Sequence, residues 1–529
     1  MLLAWGASIA GPFHFDDYNL FLDPLINSAR GWFEVWRPLQ TRPLSQFTFW
    51  LTYMLAGATP WAFHLWNLVL HALASILVWR TLRIVVAERA ALIAAIMFAV
   101  HPLQAEVVNY VFARSSALST VLCLAVLWLW LRDRIWPAVA VFALALLAKE
   151  ECVTFPLFLA LLDWWRGKRR NREGPLPYDR GSELDSPGRV GNAFRAATVR
   201  ERSLPDCDSY SVTIAKRRPK AIAAMLGLAF ALGLRVLIAT KFVAQGGGGF
   251  ASRVTPLEYF TAQGLVILRY LRLLIVPLGF TVDPEIQVVL PWLAWFAVAM
   301  IVVIASRFFK GPGVWILAGL ILLIPSSSIF PADDLAADRR MYLPMIAFCA
   351  AFAVVAQRWN PRVLMGLGAV LLVLSFMRTQ VWMTERTLWQ EAVDRAPDKV
   401  RPRIQLARSL NPSEGLDELD SAARRFPGDF DIETERGRLL IATGRAADAL
   451  AAFGKALALN PSSAMALNNR GVALAALGQN NAARADFERA LNADPCFAEA
   501  ARNLRRLGFA APNGLQQCLD PSASAHHRL

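Results

Sequence analysis

The chain has 529 residues, 56% of them hydrophobic, and a mean hydropathy of +0.38. Because soluble globular proteins contain only about 45–50% apolar residues, this composition excludes a wholly soluble protein and favours several membrane spans. Half of the net charge of +14 lies in residues 166–220, which hold 14 Lys and Arg against 7 Asp and Glu. A single basic segment between apolar runs is typical of a cytoplasmic loop, so we expect no nucleic acid partner.

The first apolar stretch, residues 1–13, is shorter than the roughly 20 residues that a spanning helix needs. It has neither a cationic start nor a clear cleavage site, so we predict no signal peptide. We expect either a tilted, truncated first span or a chain start upstream of Met1. Two adjacent carboxylates, Asp16 and Asp17, follow directly and would lie at the outer mouth of a helix bundle.

Ten further apolar runs predict, with the N-terminal stretch, about 11 spans in an all-α membrane domain over residues 1–380. If the runs alternate across the membrane, their flanking arginines fall on one side, which places the basic loop 166–220 in the cytoplasm. Residues 257–278 are apolar but contain Arg269 and Arg272, so we predict a re-entrant or surface-lying helix within the outer segment 244–290. The ten runs are residues 61–80, 88–100, 115–131, 135–148, 152–165, 221–243, 291–306, 313–329, 342–357 and 362–377.

Residues 381–510 contain a sequence repeat with a period of 34, followed by a tail at 511–529. Small residues and an aromatic residue recur at that period, which is typical of tetratricopeptide repeats and predicts an α-solenoid. The predicted orientation puts the solenoid on the same side as Asp16, where its groove would present a protein to the site. The recurring positions include Pro427, Pro461 and Pro495, Gly437 and Gly471, and Phe453 and Phe487.

The outer loops hold four polar clusters. Each cluster alone is more often a solvated end of a span, but four on one side, all mixing acids with bases, predict a shared pocket. The clusters include Asp16, Asp17 and Arg42; His101, Glu106 and Arg114; Lys149 and Glu150; and Asp333, Asp334, Asp338, Arg339, Arg340 and Tyr342.

Such a pocket suits glycosyl transfer from a polyprenyl phosphate whose tail lies in the bundle. A carboxylate, Asp16 or Asp17, would take the proton from an acceptor hydroxyl as it attacks the anomeric carbon. Cationic side chains would pair with the departing phosphate. The candidates for that role are Arg339, Arg340, Lys149 and Arg114. A divalent cation, Mg²⁺ or Mn²⁺, between Asp17 and Glu106 is kept as an alternative, although no ligand spacing demands one.

The segment Phe13-His14-Phe15-Asp16-Asp17 resembles the Phe-x-Phe-Asp-Asp motif of the transmembrane and tetratricopeptide-repeat O-mannosyltransferases, which have the GT-C fold. The order of four further motifs is similar, and the repeats occupy the same C-terminal place. In two of them the chain departs from the family pattern, since only Arg114 is kept from the turn of the second motif and Asp338 replaces a glutamate. The further motifs are Arg42-Pro43-Leu44, His101-Pro102 with Glu106 and Arg114, Lys149-Glu150, and Asp338-Arg339-Arg340-Met341-Tyr342-Leu343-Pro344.

The resemblance implies an inverting glycosyltransferase with its base at Asp16 or Asp17 and with Glu106 and Arg339 in the active site. Eukaryotic members of the family use dolichyl-phosphate mannose in the endoplasmic reticulum lumen. The few repeats and the Ala- and Arg-rich composition here look bacterial, so we expect a bacterial inner membrane, a periplasmic site and a mannose-like hexose. Two alternatives stay open: an oligosaccharide ligase or polymerase using polyprenyl diphosphates, and a non-enzymatic membrane-anchored repeat scaffold.

Overall fold

The computed structural model describes residues 1–21, 24–37, 40–173, 207–242, 255–327 and 334–510. This part of the chain folds into helices and turns without a strand, which confirms the predicted all-α class. Most of the basic loop and the tail at 511–529 lie outside the described residues. The first five α-helices precede the main bundle and are α1 (Leu2–Trp5), α2 (Asp17–Leu20), α3 (Pro24–Asn27), α4 (Gly31–Glu34) and α5 (Pro43–Ala56).

The bundle is formed by twelve α-helices of the described chain, several of them apolar enough to cross a membrane. Four described segments have the necessary length and composition: 60–82, 111–131, 217–236 and 361–381. The membrane character is thus supported, and the count of 11 spans stays a prediction. The helices are α6 (Pro60–Leu82), α7 (Glu88–Val100), α8 (Ala105–Asn109), α9 (Arg114–Leu131), α10 (Ile135–Ala148), α11 (Phe155–Glu173), α12 (Cys207–Phe242), α13 (Pro256–Ile275), α14 (Pro291–Arg307), α15 (Gly313–Leu323), α16 (Met345–Ala356) and α17 (Pro361–Val381).

Two predicted runs depart from a simple spanning helix. After α7 the chain bends by 52° into the segment 102–109, so this run is a broken span or a re-entrant segment. The bend brings Glu106 back toward the bundle, where its side chain is mostly buried. Helix α13 is not among the candidate spans. Its Arg269 pairs with Asp338 at 2.7 Å, which explains how an apolar helix carries that charge.

Close helix packing depends on small residues at contact points. A side chain on Gly319 of α15 would begin 2.6 Å from the ring of Phe348 in α16, so a residue without Cβ is required there. The same device recurs in the repeats, where a Cβ on Gly437 would lie 2.6 Å from the ring of Phe453. The 34-residue spacing of glycine and phenylalanine therefore corresponds to one contact made in successive repeats.

The C-terminal domain is a stack of helix pairs, which confirms the predicted solenoid. It begins with α18 close after the last helix of the bundle and ends with a single amphipathic helix whose apolar face covers the last pair. The helices are α18 (Glu385–Arg395), α19 (Val400–Ser409), α20 (Pro412–Arg425), α21 (Phe430–Ala442), α22 (Ala446–Leu459), α23 (Ala464–Ala476), α24 (Asn480–Ala493) and α25 (Ala498–Arg506).

The repeat domain packs directly on the loop that carries Asp16. The ring of Trp389 in α18 meets that of Phe15 edge-on, with centroids 5.0 Å apart. Arg378 at the end of α17 forms an ion pair with Glu391 of α18. Because both contacts involve buried or half-buried side chains, the first repeat helix and the first loop form one structural unit.

Candidate active site

A hydrogen bond of His14 fixes the first loop to the end of α17. Its Nε2 lies 2.8 Å from the carbonyl oxygen of Trp382, at the end of α17. Burial lowers the pKa of His14 to about 4, so the ring is neutral at physiological pH and donates to that carbonyl. The next residue, Phe15, has a left-handed backbone with φ of 47°. This turn sends two consecutive carboxylates, Asp16 and Asp17, in different directions.

Asp17 points inward and is fully buried. Its Oδ1 accepts from the backbone N–H of Phe112 at 2.7 Å, and its Oδ2 accepts from those of His14 at 3.0 Å and Val111 at 3.4 Å. Burial raises the pKa of Asp17 to about 7 against the opposing effect of these amide donors. The carboxyl therefore ties the first loop to the start of the helical segment 111–131, and the geometry favours a structural role for it.

Asp16 points outward and is exposed. Its Oδ2 accepts a hydrogen bond of 3.0 Å from the hydroxyl of Tyr110. The Tyr110 ring is almost completely buried and stacks on Trp382, with centroids 6.3 Å apart. Burial and then the charge of Asp16 raise the pKa of Tyr110, so the phenol stays protonated and acts as a donor. Of the two carboxylates, Asp16 is the one that a substrate can reach.

Sequence reasoning missed Tyr110. The residue lies in the second outer segment, between Asn109 and Val111, and outside every motif that carries the family resemblance. The only available signal was a phenol among apolar neighbours, in a chain with only 8 tyrosines. Its importance depends on a contact with a residue 94 positions away, which spacing does not reveal.

Glu106 and Arg339, from two of the predicted clusters, contact each other. One oxygen of Glu106 accepts from the backbone N–H of Arg339 at 2.8 Å, and the other pairs with its guanidinium. Although burial lowers it, Glu106 and then Asp334 hold the pKa of Arg339 well above its usual range. Arg339 is therefore a permanent cation, and it is close enough to Tyr110 for its charge to act on the pKa of that phenol. Its side chain keeps 29% of its surface exposed, so it can meet a ligand.

Two more cations lie near Arg339, and each has its own carboxylate. Arg42 makes two hydrogen bonds to Glu150. Lys149 donates to the hydroxyl of Ser116 at 2.7 Å and pairs with Glu151 at the same distance. Although burial raises it, Arg42 lowers the pKa of Glu150 to about 2, so this pair is ionised at neutral pH. Both cations are close enough to Arg339 for its positive charge to act on them.

Arg114 and Arg340, two of the predicted phosphate partners, direct their donors into the protein. Arg114 is fully buried, and its guanidinium is surrounded by acceptors from α5 and α6. Arg340 is also buried, and it donates to two backbone carbonyl oxygens of its own loop. The geometry favours structural roles for both. The acceptors of Arg114 are Asn67 Oδ1, Thr48 O, Thr52 Oγ1 and Phe63 O, and those of Arg340 are Tyr259 OH, Leu335 O and Asp334 O.

His101 and Tyr342 also lie inside the fold rather than in an open pocket. The Nδ1 of His101 accepts from the N–H of Leu103, and its Nε2 lies 3.2 Å from the carbonyl of Leu274, so the ring stabilises the bend after α7. The hydroxyl of Tyr342 lies 2.8 Å from Nδ1 of His71. These two residues stabilise the fold next to the site but do not line it.

The oxygens of Asp17 accept from backbone N–H groups, and those of Glu106 are taken up by the backbone N–H and the guanidinium of Arg339. Across the described ranges, no group of three or more His, Cys, Asp or Glu side chains could hold a metal ion. The residues present do not fit a resident Mg²⁺ or Mn²⁺ between this pair, and the chemistry below uses none.

Comparison with known proteins follows the same division of the chain. Residues 37–178 match the family of dolichyl-phosphate-mannose-protein mannosyltransferases, and residues 434–496 match the tetratricopeptide repeat. The protein O-mannosyl-transferase Tmtc1 of Drosophila melanogaster is 23% identical over 440 residues, which cover 68% of this chain and 51% of that protein. A Caenorhabditis elegans protein O-mannosyl-transferase is 22% identical over 455 residues, covering 77% of this chain and 58% of the relative.

The chain is similar to these protein O-mannosyl-transferases in both its membrane domain and its repeats. The resemblance predicted from the motifs is confirmed, because the matches combine the membrane domain with the repeats in the expected order. The human protein O-mannosyl-transferase TMTC3 is 29% identical over 160 residues, 26% of this chain and 18% of its own length. The chain spans less than two thirds of the length of each of these three relatives.

Proposed function

We propose that this protein is an integral-membrane inverting glycosyltransferase. It would move a mannose-like hexose from a polyprenyl-phosphate donor to a hydroxyl group of a protein acceptor on the outer face of the membrane, the periplasmic face in a bacterium. The mannosyltransferase family match and the names of the relatives support this reaction class. The observation that carries the proposal is an exposed carboxylate, Asp16, held by the phenol of Tyr110, which is also close enough to the permanent cation Arg339 for that charge to act on it.

Asp16 is suited to act as the general base. Tyr110 holds one of its oxygens, so the other can accept the proton of an acceptor hydroxyl. The deprotonating oxygen attacks the anomeric carbon, and the bond from that carbon to the phosphate oxygen breaks on the opposite side. The electron pair of the broken bond leaves with the phosphate. The sugar configuration is inverted, and the proton stays on Asp16 until solvent removes it.

Arg339 is suited to stabilise the departing phosphate. Glu106 engages its backbone N–H and one end of its guanidinium, which fixes the orientation of the other end. Arg42 and Lys149 add positive potential at the same place. Preorganised cations stabilise charge that develops in a transition state without reorganising during the reaction. A carboxylate beside each cation keeps the site near neutral until the phosphate gains charge.

The repeats are suited to present the acceptor. Their first helix packs on Phe15, next to the proposed base, so a peptide on the solenoid would lie close to Asp16. The donor tail would lie along the apolar helix surfaces of the bundle, many of which are exposed. A pure scaffold would have no need for a carboxylate oriented by a buried phenol.

The test compares three strains that express wild type, Asp16→Asn or Asp417→Asn in a bacterial membrane host. Asp417 is an exposed carboxylate of the repeat domain and serves as the matched control. The readout is the intact mass of periplasmic proteins, with lipid extract of the native organism supplied. We expect added hexose with wild type and Asp417→Asn but not with Asp16→Asn. Equal hexose in all three strains would exclude Asp16 as the base, and none in any strain would exclude the proposed transfer.

A further inference from the structure

One carboxylate, Asp334, lies between arginines from the two domains. Its Oδ1 accepts from Nη1 of Arg401, in the repeat helix α19, at 2.8 Å. Its Oδ2 forms a longer ion pair with Nη2 of Arg339 at 3.6 Å, just beyond hydrogen-bond distance. The backbone carbonyl of Asp334 is fixed by Arg340 at 2.7 Å, so the residue cannot drift far. The shorter contact of the carboxylate is therefore with the repeat domain. A small movement would bring it within hydrogen-bond distance of Arg339.

Arg401 is itself held in place by acidic neighbours. Its Nε lies 3.8 Å from Asp283, and Lys399, directly before the same helix, pairs with that carboxylate. Arg401 is also close enough to Asp16 for that charge to affect it. Although burial raises it, Arg401 and then Arg339 hold the pKa of Asp334 below its usual range, so Asp334 is ionised at neutral pH. Arg401, the closer of the two arginines, has the larger effect on the pKa of Asp334.

We propose that Arg401 is a positioning residue of the donor-phosphate site, which holds Asp334 away from Arg339 and so keeps that guanidinium open to a phosphate. The inference rests on the phosphate-binding role given to Arg339 under the proposed function. An arginine and a carboxylate in contact form a charge-assisted pair, and that pair would compete directly with the phosphate for the same donors. The repeat domain then supplies part of the catalytic centre in addition to presenting the acceptor.

A double-mutant cycle separates this electrostatic role from a simple tether between domains. Arg401→Gln frees an ionised Asp334 to close on Arg339, so phosphate binding should weaken by about tenfold, the effect of one charge-assisted contact. Asp334→Asn removes the competing charge. The double variant Arg401→Gln, Asp334→Asn should therefore recover most of the lost affinity, although it has lost the same interdomain contact. A tether predicts no recovery, because the double variant still lacks the contacts of Arg401 with Asp334 and Asp283.

The measurement is the affinity of the purified full chain in detergent for undecaprenyl phosphate, followed by tryptophan fluorescence. Arg445→Gln is the matched control, since Arg445 is an exposed repeat-domain arginine paired with Asp448 within its own helix turn. Its affinity should equal that of wild type. Arg401→Lys keeps the charge and should retain most of the affinity for the lipid phosphate. If Arg401→Gln does not fold, the affinity of Arg401→Lys tests the inference in its place.

Recovery in the double variant supports the inference. Failure to recover, or weakened binding in Arg445→Gln, would overturn it, as would a wild type that does not bind the lipid phosphate. Because binding is measured without a sugar or an acceptor, a chain that obeys the cycle but transfers no hexose would contradict only the proposed transfer. A chain that transfers hexose without recovery would contradict only the role of Arg401.

Discussion

At the scale of single residues, burial decides what two adjacent carboxylates can do. Asp16 is exposed and has one oxygen held by a phenol, whereas Asp17 is enclosed by three backbone amides. A base must reach its substrate, so only the first geometry suits proton transfer. The second geometry satisfies main-chain donors that would otherwise be buried without partners.

The two carboxylates should therefore respond differently to the same substitution. Asp16→Asn leaves the fold intact and should lower the transfer rate by roughly 10²–10⁴-fold, the usual contribution of a general base. Asp17→Asn turns an amide group toward main-chain N–H donors and should cost roughly 1–3 kcal/mol of stability. Thermal unfolding at pH 8, together with hexose transfer, checks both. Equal melting temperatures for the two variants would contradict the structural role of Asp17.

A second residue-scale prediction concerns Arg42 and Glu150. Because the pKa of Glu150 is lowered to about 2 in the folded chain, the pair stabilises the fold fully above the ordinary glutamate pKa of about 4.5. That contribution is lost as the pH falls toward 2. Arg42→Gln should thus lower the melting temperature clearly at pH 6 and progressively less at pH 4 and pH 3.

The matched control for this pair is Arg37→Gln, in the same loop, which breaks an exposed ion pair with Glu34. Exposed pairs contribute little to stability, so its melting temperature should follow that of wild type throughout. A loss in Arg42→Gln that stays constant from pH 6 to pH 3 would mean that the pair is not the source of the stability.

At the scale of elements, the repeat helices depend on glycines that face aromatic rings. Gly437→Ala would place a methyl group 2.6 Å from Phe453 and should cost roughly 1–3 kcal/mol through overpacking. Gly454→Ala, in the partner helix α22, meets open space and should stabilise by roughly 0.5–1 kcal/mol through helix propensity. Hydrogen exchange over residues 430–459 of the full chain checks both directions. The same sign of change for the two variants would contradict this packing.

The distance along the chain between contacting residues explains which parts could be predicted from the sequence. The repeats follow from a local spacing, because Gly437 and Phe453 meet within one helix pair. The motifs predicted that Glu106 and Arg339 lie in one outer pocket, but not that the two side chains pair with each other. By contrast, the buried state of Arg114 depends on acceptors from α5 and α6 that no spacing connects to it. Tyr110 was missed for the same reason, since its partner lies in a distant loop.

At the scale of the whole molecule, the proposed centre lies where the bundle meets the solenoid. Arg401 from α19, Trp389 from α18 and the loop of Asp16 all contribute to one junction. An acceptor bound to the repeats would then need little movement to reach the base. This arrangement requires the repeats and Asp16 to lie on the same side of the membrane, with the basic loop on the other.

Thiol labelling tests that sidedness. Ser462→Cys places a thiol in the exposed turn between α22 and α23, and Lys310→Cys places one in the exposed turn between α14 and α15. An impermeant maleimide should label position 462 in intact spheroplasts and position 310 only after lysis, since basic flanks stay in the cytoplasm. Wild type supplies the background, and its Cys123, Cys152 and Cys349 are buried. Labelling of position 310 in intact cells would reverse the orientation and would place the proposed transfer on the cytoplasmic face.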